Sequence, residues 1–283
     1  MALRQSTGLR NLLQGINTNQ LVNGNFDSVV TSWTATVAAT TSNVGSGQSG
    51  NCMRVAEAGG AAVGQAYQAI TTRVGQVYKF TGYFKKGTAD AGRFKIGTTS
   101  AGTEIWDSGA LNDAAWALKT HVFIATATTT YIICETTDAT AGEYSDFDTI
   151  SVIPLARSVQ DVFNFFNVKW YTGTQPSTPD TAPTGTLLCT MKNASVGATF
   201  ADSVAGALSK PAAETWNGVC GAGGTVGWAR ISHIDDAGGT NTTEPRIDFR
   251  VSTSGAEMNF TSVNWDSGST QGITDLPLTE PME

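Results

Sequence analysis

Along the chain the spacing of apolar residues changes twice, and each change predicts a change of structure. Over residues 6–14 the leucines Leu9, Leu12 and Leu13 recur at helical spacing. Ser6 or Thr7 stands ready as a cap and Gly15 as a stop, so a short helix is expected there. A stripe on so short a helix is not stable alone and must dock on something. From about residue 20 the period falls to two. Tyr78, Phe80, Gly82 and Phe84 alternate with Val77, Lys79, Thr81, Tyr83 and Lys85, as the two faces of a strand do. A second alternating run spans 92–97. Residues 120–125 and 131–135 read as an antiparallel pair across a Thr-rich turn. Phe147 to Ile153 closes the series at Pro154, which cannot donate to a ladder. Short strands at this spacing, without helices between them, predict a β-sandwich.

Residues 155–168 return to helical spacing: Val159, Val162, Phe163 and Phe166 fall at i, i+3, i+4 and i+7, with Ser158 as cap and Asp161 at N3. A second β-rich region is expected from Val168-Lys169-Trp170-Tyr171 onward. Turns are marked by Gln175-Pro176, by Pro179 to Pro183 and by Gly221, Gly223 and Gly224. Strands are expected at 185–191, 227–234, 246–252 and 258–265, and the tail after Asp275 is acidic and Pro-bearing.

Composition agrees with an all-β chain. Of 283 residues, 31 are Gly and only 14% are charged, and Thr, Ser and Ala are abundant. A net charge of −7 argues against nucleic acid as a partner, because phosphates call for clustered Lys and Arg. No run of 18 apolar residues predicts a membrane span. The first residues lack the layout of a secretion signal, so synthesis in a cytoplasm is expected. The four cysteines, Cys52, Cys134, Cys189 and Cys220, form no CxxC pair and stand beside only two His. A zinc site is therefore not expected. Two Cys fall in each half, permitting one bridge per half, and reduced buried thiols are the expectation for a cytoplasmic product.

Three phrases carry a resemblance. Leu21-Val22-Asn23-Gly24-Asn25-Phe26, followed by Trp33, Val74-Gly75-Gln76-Val77-Tyr78, and Phe147-Asp148-Thr149-Ile150-Ser151-Val152 resemble the opening, central and closing motifs of carbohydrate-binding modules of the family 4/9 type. The resemblance covers residues 20–153 and implies a jelly-roll sandwich with the opening and closing phrases as its first and last strands. The flanks resemble small proteins encoded among tailed-bacteriophage virion genes. Ala2-Leu3-Arg4, Ser6 to Asn11, Val168-Lys169-Trp170-Tyr171-Thr172-Gly173-Thr174-Gln175-Pro176, Thr184 to Leu188, Gly227-Trp228-Ala229-Arg230, Asp235 to Gly239 and Glu244-Pro245-Arg246 carry that likeness. Together they imply one base domain, 1–19 with 154–283, and an inserted jelly roll, 20–153. Domains with close termini tolerate such insertion.

The chemistry expected of this chain is binding, not turnover. His121 lies in an apolar strand run, and His233 stands near Asp235 and Asp236. No Gly-x-Ser-x-Gly elbow accompanies either. Asp146 and Asp148 are paired carboxylates among ordinary strand residues, a weak basis for glycoside hydrolysis. In the resembling modules an acidic residue of the last strand, with groups near the first, holds a structural calcium. Asn25, Asp27 and Asp148 match those positions, and hard oxygen ligands suit that ion; no other cofactor is implied. Glycan binding asks for aromatic platforms. Trp33, Tyr67, Trp106, Trp116 and Tyr144 are candidates, with Trp106, Trp116 and Tyr144 retained. Gly221 to Gly224 is a turn, not a phosphate loop. The resulting expectation is a non-enzymatic structural protein of a tailed-phage virion, in head decoration, neck or tail. Its partners are other virion proteins and copies of itself. The alternative is an adhesin for host-surface glycans, and a depolymerase ranks third.

Overall fold

The computed structural model describes residues 4–15, 18–36, 38–59, 63–138, 140–156, 159–204, 207–274, 276 and 278–279. Ser158 and most of the tail after Asp275 lie outside the described residues. The chain divides into two compact units, one of residues 1–16 with 156–283 and one of residues 17–155.

The chain opens with β1 (Arg4–Gln5) and α1 (Thr7–Leu13). Ser6 caps the helix: its hydroxyl accepts the Leu9 N–H at 3.0 Å, a contact worth about 1 kcal/mol. Gly15 at φ +71° ends the turn. Leu9 and Leu12 are buried in the core of their own unit, so the stripe docks as its shortness required.

Ten strands build the second unit: β2 (Thr34–Ala35), β3 (Ala39–Gly45), β4 (Asn51–Glu57), β5 (Gly64–Thr71), β6 (Val77–Lys86), β7 (Gly92–Gly97), β8 (Trp106–Asp107), β9 (Ala117–Ile124), β10 (Thr129–Thr136) and β11 (Tyr144–Pro154). They form two five-stranded sheets, β2-β5-β10-β7-β8 and β3-β4-β11-β6-β9, the two layers of a jelly-roll sandwich. The alternation of β6 is obeyed: Tyr78, Phe80 and Phe84 face the core and Lys79, Thr81, Tyr83 and Lys85 do not. Phe94 of one sheet meets Phe80 and Phe147 of the other, with ring centroids 5.0 and 5.3 Å apart.

Two expectations fail here. Residues 120–125 and 131–135 are not a hairpin pair. β9 pairs with β6, while β10 pairs with β5 and β7 in the other sheet. The two runs lie in different layers, β9 at the edge of one sheet and β10 in the middle of the other, and each turns apolar side chains into the shared core from its own side. The opening phrase, residues 21–27, is not a strand either. Asn23 and Phe26 take φ values of +54° and +53°, which a strand excludes. The segment instead runs beside β11, where Ile150 N–H donates to Gly24 C=O at 2.8 Å and Gln20 N–H to Val152 C=O at 2.7 Å. Gly24 is required by that approach, because a Cβ there would stand 2.0 Å from the Ile150 oxygen. Leu21, Phe26 and Trp33 are buried in the sandwich core.

The chain returns to the first unit through α2 (Val159–Val162), β12 (Phe166–Thr172), β13 (Leu187–Asn193), β14 (Ala201–Val204), β15 (Ala207–Ser209), β16 (Trp216–Val219), β17 (Gly224–His233), β18 (Arg246–Ser252), β19 (Met258–Asn259), β20 (Asn264–Trp265), β21 (Thr270–Ile273) and β22 (Leu278–Thr279). The expected helix over 155–168 shrinks to one turn. Phe165 adopts φ +59°, so Phe166 begins a strand and joins the core from there. The expected strand at 258–265 is two separate two-residue pieces. The main sheet runs β1-β18-β17-β12-β13-β16-β21, with β19 and β20 at its margins. On one face Val168, Ile231 and Ile247, then Trp170, Ala229 and Phe249, stand in register across β12, β17 and β18 and fill the core.

The opposite face of these strands is equally dry, although it carries charge. Arg230 donates to both oxygens of Asp248 at 2.7 and 2.8 Å, and Arg246 to both of Asp236 at 2.7 Å. All four side chains are at most 2% exposed. A strap of residues 174–184 covers this face, because the arginines have donors to spare for its carbonyls. Arg230 reaches Thr181 at 3.0 Å and Arg246 reaches Pro179 at 3.1 Å. Arg4 bonds Pro176, and the Trp228 indole N–H bonds Thr184 at 3.2 Å. From the strap, Asp180 accepts the Thr7 N–H and hydroxyl at 2.8 and 2.6 Å, placing a negative charge at the start of α1.

Burial pushes the Asp236 carboxyl up, but the Arg246 hydrogen bonds and charge outweigh it, and the group titrates below its ordinary value. The folded state therefore gains from the charged form. That gain is present above the ordinary carboxylate range and is lost as pH falls through the lowered value. Urea titration of the full chain between pH 3 and 6 should show this unit's transition weakening below about pH 4. Asp236→Asn should be less stable at pH 6 and should lose less on acidification.

Candidate functional site

Residues on alternate positions of neighbouring strands share one face of a sheet, and the β2-β5-β10-β7-β8 sheet turns a set of polar and aromatic side chains away from the core. One row holds Gln65, Glu135 and Arg93, the next Thr34, Tyr67, Ile133, Lys95 and Asp107, and the next Ala69, Tyr131 and Gly97. Tyr67 and Tyr131 are half-buried and meet edge-on, with ring centroids 5.7 Å apart. Beside them Glu135, 2% exposed, accepts the Gln65 amide at 2.6 Å and is bonded by the Lys95 ammonium. Arg93 lies 3.7 Å from Glu135, an ion pair too long for a hydrogen bond, and bonds Asp107 at 3.2 Å. The Arg93 Nε–H is buried without a hydrogen-bond partner.

Of these residues the sequence singles out Tyr67 alone, and not Tyr131, Glu135, Lys95, Arg93, Gln65 or Asp107. Tyr131, Glu135, Arg93 and Lys95 sit in runs whose alternation reads as ordinary sandwich wall, and Gln65 and Asp107 in stretches whose sequence does not read as strand. The signal available was Tyr131 and Glu135, four residues apart on one strand, which strand geometry puts on one face.

The retained aromatics lie elsewhere. Tyr144 and Trp116 belong to the β3-β4-β11-β6-β9 sheet and its margin, and both already stack with cations. The Arg54 guanidinium lies 3.4 Å above the Tyr144 ring while bonding both oxygens of Asp146 at 2.8 and 3.0 Å. Lys85 sits 5.4 Å from the Trp116 ring, whose N–H bonds Ser46 C=O at 3.2 Å. Trp106 stacks on His121 at 4.5 Å, nearly parallel, and packs on Phe80. It closes an edge between the two sheets. Trp33 is buried against Phe26 at 5.6 Å. His121 titrates lower than usual because it is partly buried. His233 is buried, and its ring nitrogen accepts the Asp235 N–H at 3.2 Å.

Asn25, Asp27 and Asp148 gather around the turn of residues 47–50. A Cβ on Gly47 would lie 2.8 Å from one Asp148 oxygen, and one on Gly50 would lie 2.9 Å from an Asp27 oxygen. Asn25 and Asp27 are exposed and bond each other, whereas Asp148 is fully buried. Its oxygens accept the Ser49 and Thr149 N–H groups at 3.0 and 2.6 Å. Burial is the main cause holding its carboxyl above the ordinary value. Among the described residues no Lys or Arg pairs with it. A buried carboxylate held by backbone N–H groups and without a counter-charge offers the hard oxygen chemistry that a hard cation takes. Among the described residues no group of three or more His, Cys, Asp and Glu side chains is placed to hold a metal, so such a site would draw on carbonyls and amide oxygens as well. No helix of the described residues is long and apolar enough to cross a membrane.

No family model matches the chain, and no curated protein does. Solved structures do. The CBM22-1 xylan-binding domain of Paenibacillus barcinonensis Xyn10C is 13% identical over 50% of this chain and 97% of its own, with a TM-score of 0.39. A family 4 carbohydrate-binding module is 22% identical over 47% and 98%, also at 0.39. The enzymatically active domain of tailspike protein 4 of bacteriophage CBA120 is 12% identical over 48% and 21%, at 0.38. At these TM-scores the likenesses carry no functional argument, and the reading of the site rests on its own chemistry.

The Lys95–Glu135 pair should behave as a buried pair. Lys95→Met should destabilise the sandwich by about 3–5 kcal/mol, and Lys95→Met with Glu135→Leu should recover much of the loss. Chemical denaturation of the three proteins checks this.

Proposed function

We propose that the 17–155 unit is a non-catalytic glycan-binding module whose ligand lies across the Tyr67–Tyr131 face. One observation carries the reading: two half-exposed tyrosines share a sheet face with a held row of amide, carboxylate, ammonium and guanidinium groups. Ring faces pack on the apolar side of a pyranose, while fixed donors and acceptors read its hydroxyls. The prior hydrogen bonding of Glu135, Lys95 and Gln65 pre-orders them, which lowers the entropy cost of binding. Glycan-array screening of the full chain supplies the ligand. Tyr67→Ala and Tyr131→Ala should each weaken binding roughly tenfold, about 1.4 kcal/mol, with the fold unchanged by circular dichroism. An array without hits sinks the reading. Loss of binding on Trp116→Ala or Tyr144→Ala, with the two tyrosine variants unaffected, moves the site to the other sheet.

The same unit is proposed to take a calcium ion beside Asp148, with Asp27 and Asn25 as further oxygen donors. The ion would neutralise a carboxylate that burial otherwise disfavours. Millimolar calcium should then raise the melting temperature over a chelated sample, and Asp148→Asn should abolish the difference. Equal melting with and without calcium in the unaltered protein rejects it.

The 1–16 and 156–283 unit is proposed to mount the module on a tailed-phage virion, among other virion proteins and further copies of this chain. What supports this is the convergence of the phrases that resemble virion proteins. Thr7, Pro176, Trp228, Arg230, Asp236 and Arg246 come from phrases far apart in sequence, yet all bond the 174–184 strap or pair within the charged face that it covers. Repetition on a particle would multiply weak glycan contacts through avidity. Absence of the chain from purified particles, judged by mass spectrometry, would falsify the mounting role and leave the glycan reading untouched.

A further inference from the structure

All four cysteines are buried free thiols, but they are not equivalent. Cys52 lies on the β4 position facing away from the sandwich core, since Met53 and Val55 on either side of Arg54 face inward. Cys134 is enclosed in that core. The two therefore occupy opposite sides of a sheet. Cys189 and Cys220, by contrast, face each other. β13 and β16 pair with Lys192 opposite Asn217 and Asn193 opposite Trp216. The same register recurs further along, where Gly221 N–H donates to Leu188 C=O at 2.9 Å. Counting between these points sets Cys189 directly across from Cys220.

The hydrogen-bonding pattern fixes which kind of pair this is. Leu188 and Gly221 bond across the strands, so the adjacent pair is of the non-hydrogen-bonded type. Consistently, the Cys220 N–H and C=O are committed to Ser269 and Gly268 on its other side, at 2.9 and 2.8 Å. Residues in such pairs have Cα atoms about 4.5 Å apart and Cβ atoms about 4.5–5.5 Å apart. A disulfide needs Cα atoms about 4.4–6.8 Å apart and Cβ atoms about 3.5–4.5 Å apart. The two thiols already lie within hydrogen-bonding reach of each other. Both belong to the unit's hydrophobic core, each at most 2% exposed.

We propose that Cys189 and Cys220 are an oxidation site that closes into a cross-strand disulfide joining β13 to β16. The oxidant is a low-molecular-weight disulfide. One cysteine thiolate attacks it, forming a mixed disulfide and releasing one thiolate. The second cysteine thiolate then attacks the protein sulfur of that adduct, forming the Cys189–Cys220 bond and releasing the other thiolate. Two electrons pass from the cysteine pair to the oxidant, and the two cysteine protons end on the released thiols. Burial pushes the Cys189 thiol up to about 12, and the neighbouring Cys220 thiol adds to this. Thiolate is therefore scarce in the closed sheet, and exchange runs through states in which β13 and β16 part, during folding or local opening.

The test refolds the full chain from urea in an oxidised and reduced glutathione buffer, then denatures and alkylates it. The expected product is two hydrogens lighter than the reduced chain. It takes two maleimide adducts, at Cys52 and Cys134, where the reduced chain takes four, and proteolysis releases one peptide pair linked through Cys189 and Cys220. The melting transition of the 1–16 and 156–283 unit should rise by roughly 5–10 °C. Cys189→Ser and Cys220→Ser should each take three adducts and show no rise. Four adducts on natively refolded chain, a link involving Cys52 or Cys134, or a persistent glutathione adduct on either cysteine overturns the proposal. The adduct count on the unaltered chain decides the matter even if a serine variant fails to fold.

Discussion

Guanidinium groups sealed from water set the terms for the discontinuous unit. An arginine such as Arg230, bonded on two sides to Asp248 and buried with it, cannot lose its partner without exposing an unpaired charge to a dry interior. That penalty is several kcal/mol, larger than the net value of the pair itself. The pairs therefore specify more than they stabilise. Each carboxylate engages two guanidinium nitrogens, which leaves other donors directed outward. The carbonyls of the 174–184 strap are what meet them. A strap without regular hydrogen bonding would otherwise leave orphaned backbone groups against a sheet, and here side chains from β1, β17 and β18 satisfy it. Gly227 completes the fit, since a Cβ there would come within 1.9 Å of the Gly173 oxygen.

How much of this could be read from sequence depended on whether a signal was local. The cap at Ser6, the alternation through β6 and the stop at Pro154 are decided by nearest neighbours, and the structure carries each of them. The pairing of β9 with β6, not with β10, is decided by what must be buried across the sandwich, which the Thr-rich turn does not encode. Phe166 illustrates the same limit. Its spacing from Val159, Val162 and Phe163 suits a helix, yet one left-handed residue at Phe165 converts the run into a strand with Phe166 still buried. β3, β4 and β5 went unread because Thr, Ser, Gln and Ala dilute their alternation.

The candidate site shows the converse. Aromatic residues beside polar turns drew notice in the sequence, and the structure gives Trp106, Trp116 and Tyr144 local partners: an imidazole, an ammonium and a guanidinium. Tyr131 and Glu135 sit in an apolar strand, and their shared face is all that their own neighbourhood shows. Only strand pairing brings Gln65, Arg93 and Lys95 beside them. A surface for recognition is here a property of register, and register is non-local.

The Gly24 approach to Ile150 has a mechanical consequence. Residues 20–24 and 150–152 run side by side, joined by a few main-chain bonds, so the chain enters and leaves the sandwich at one point. Tension applied between those two ends does not shear the sheets past each other. It pulls the opening segment and β11 apart from the end at Gln20 and Val152, while the other side of β11 stays paired with β6. The two ends of this unit are therefore loaded in an unzipping geometry, in which main-chain bonds are met one after another.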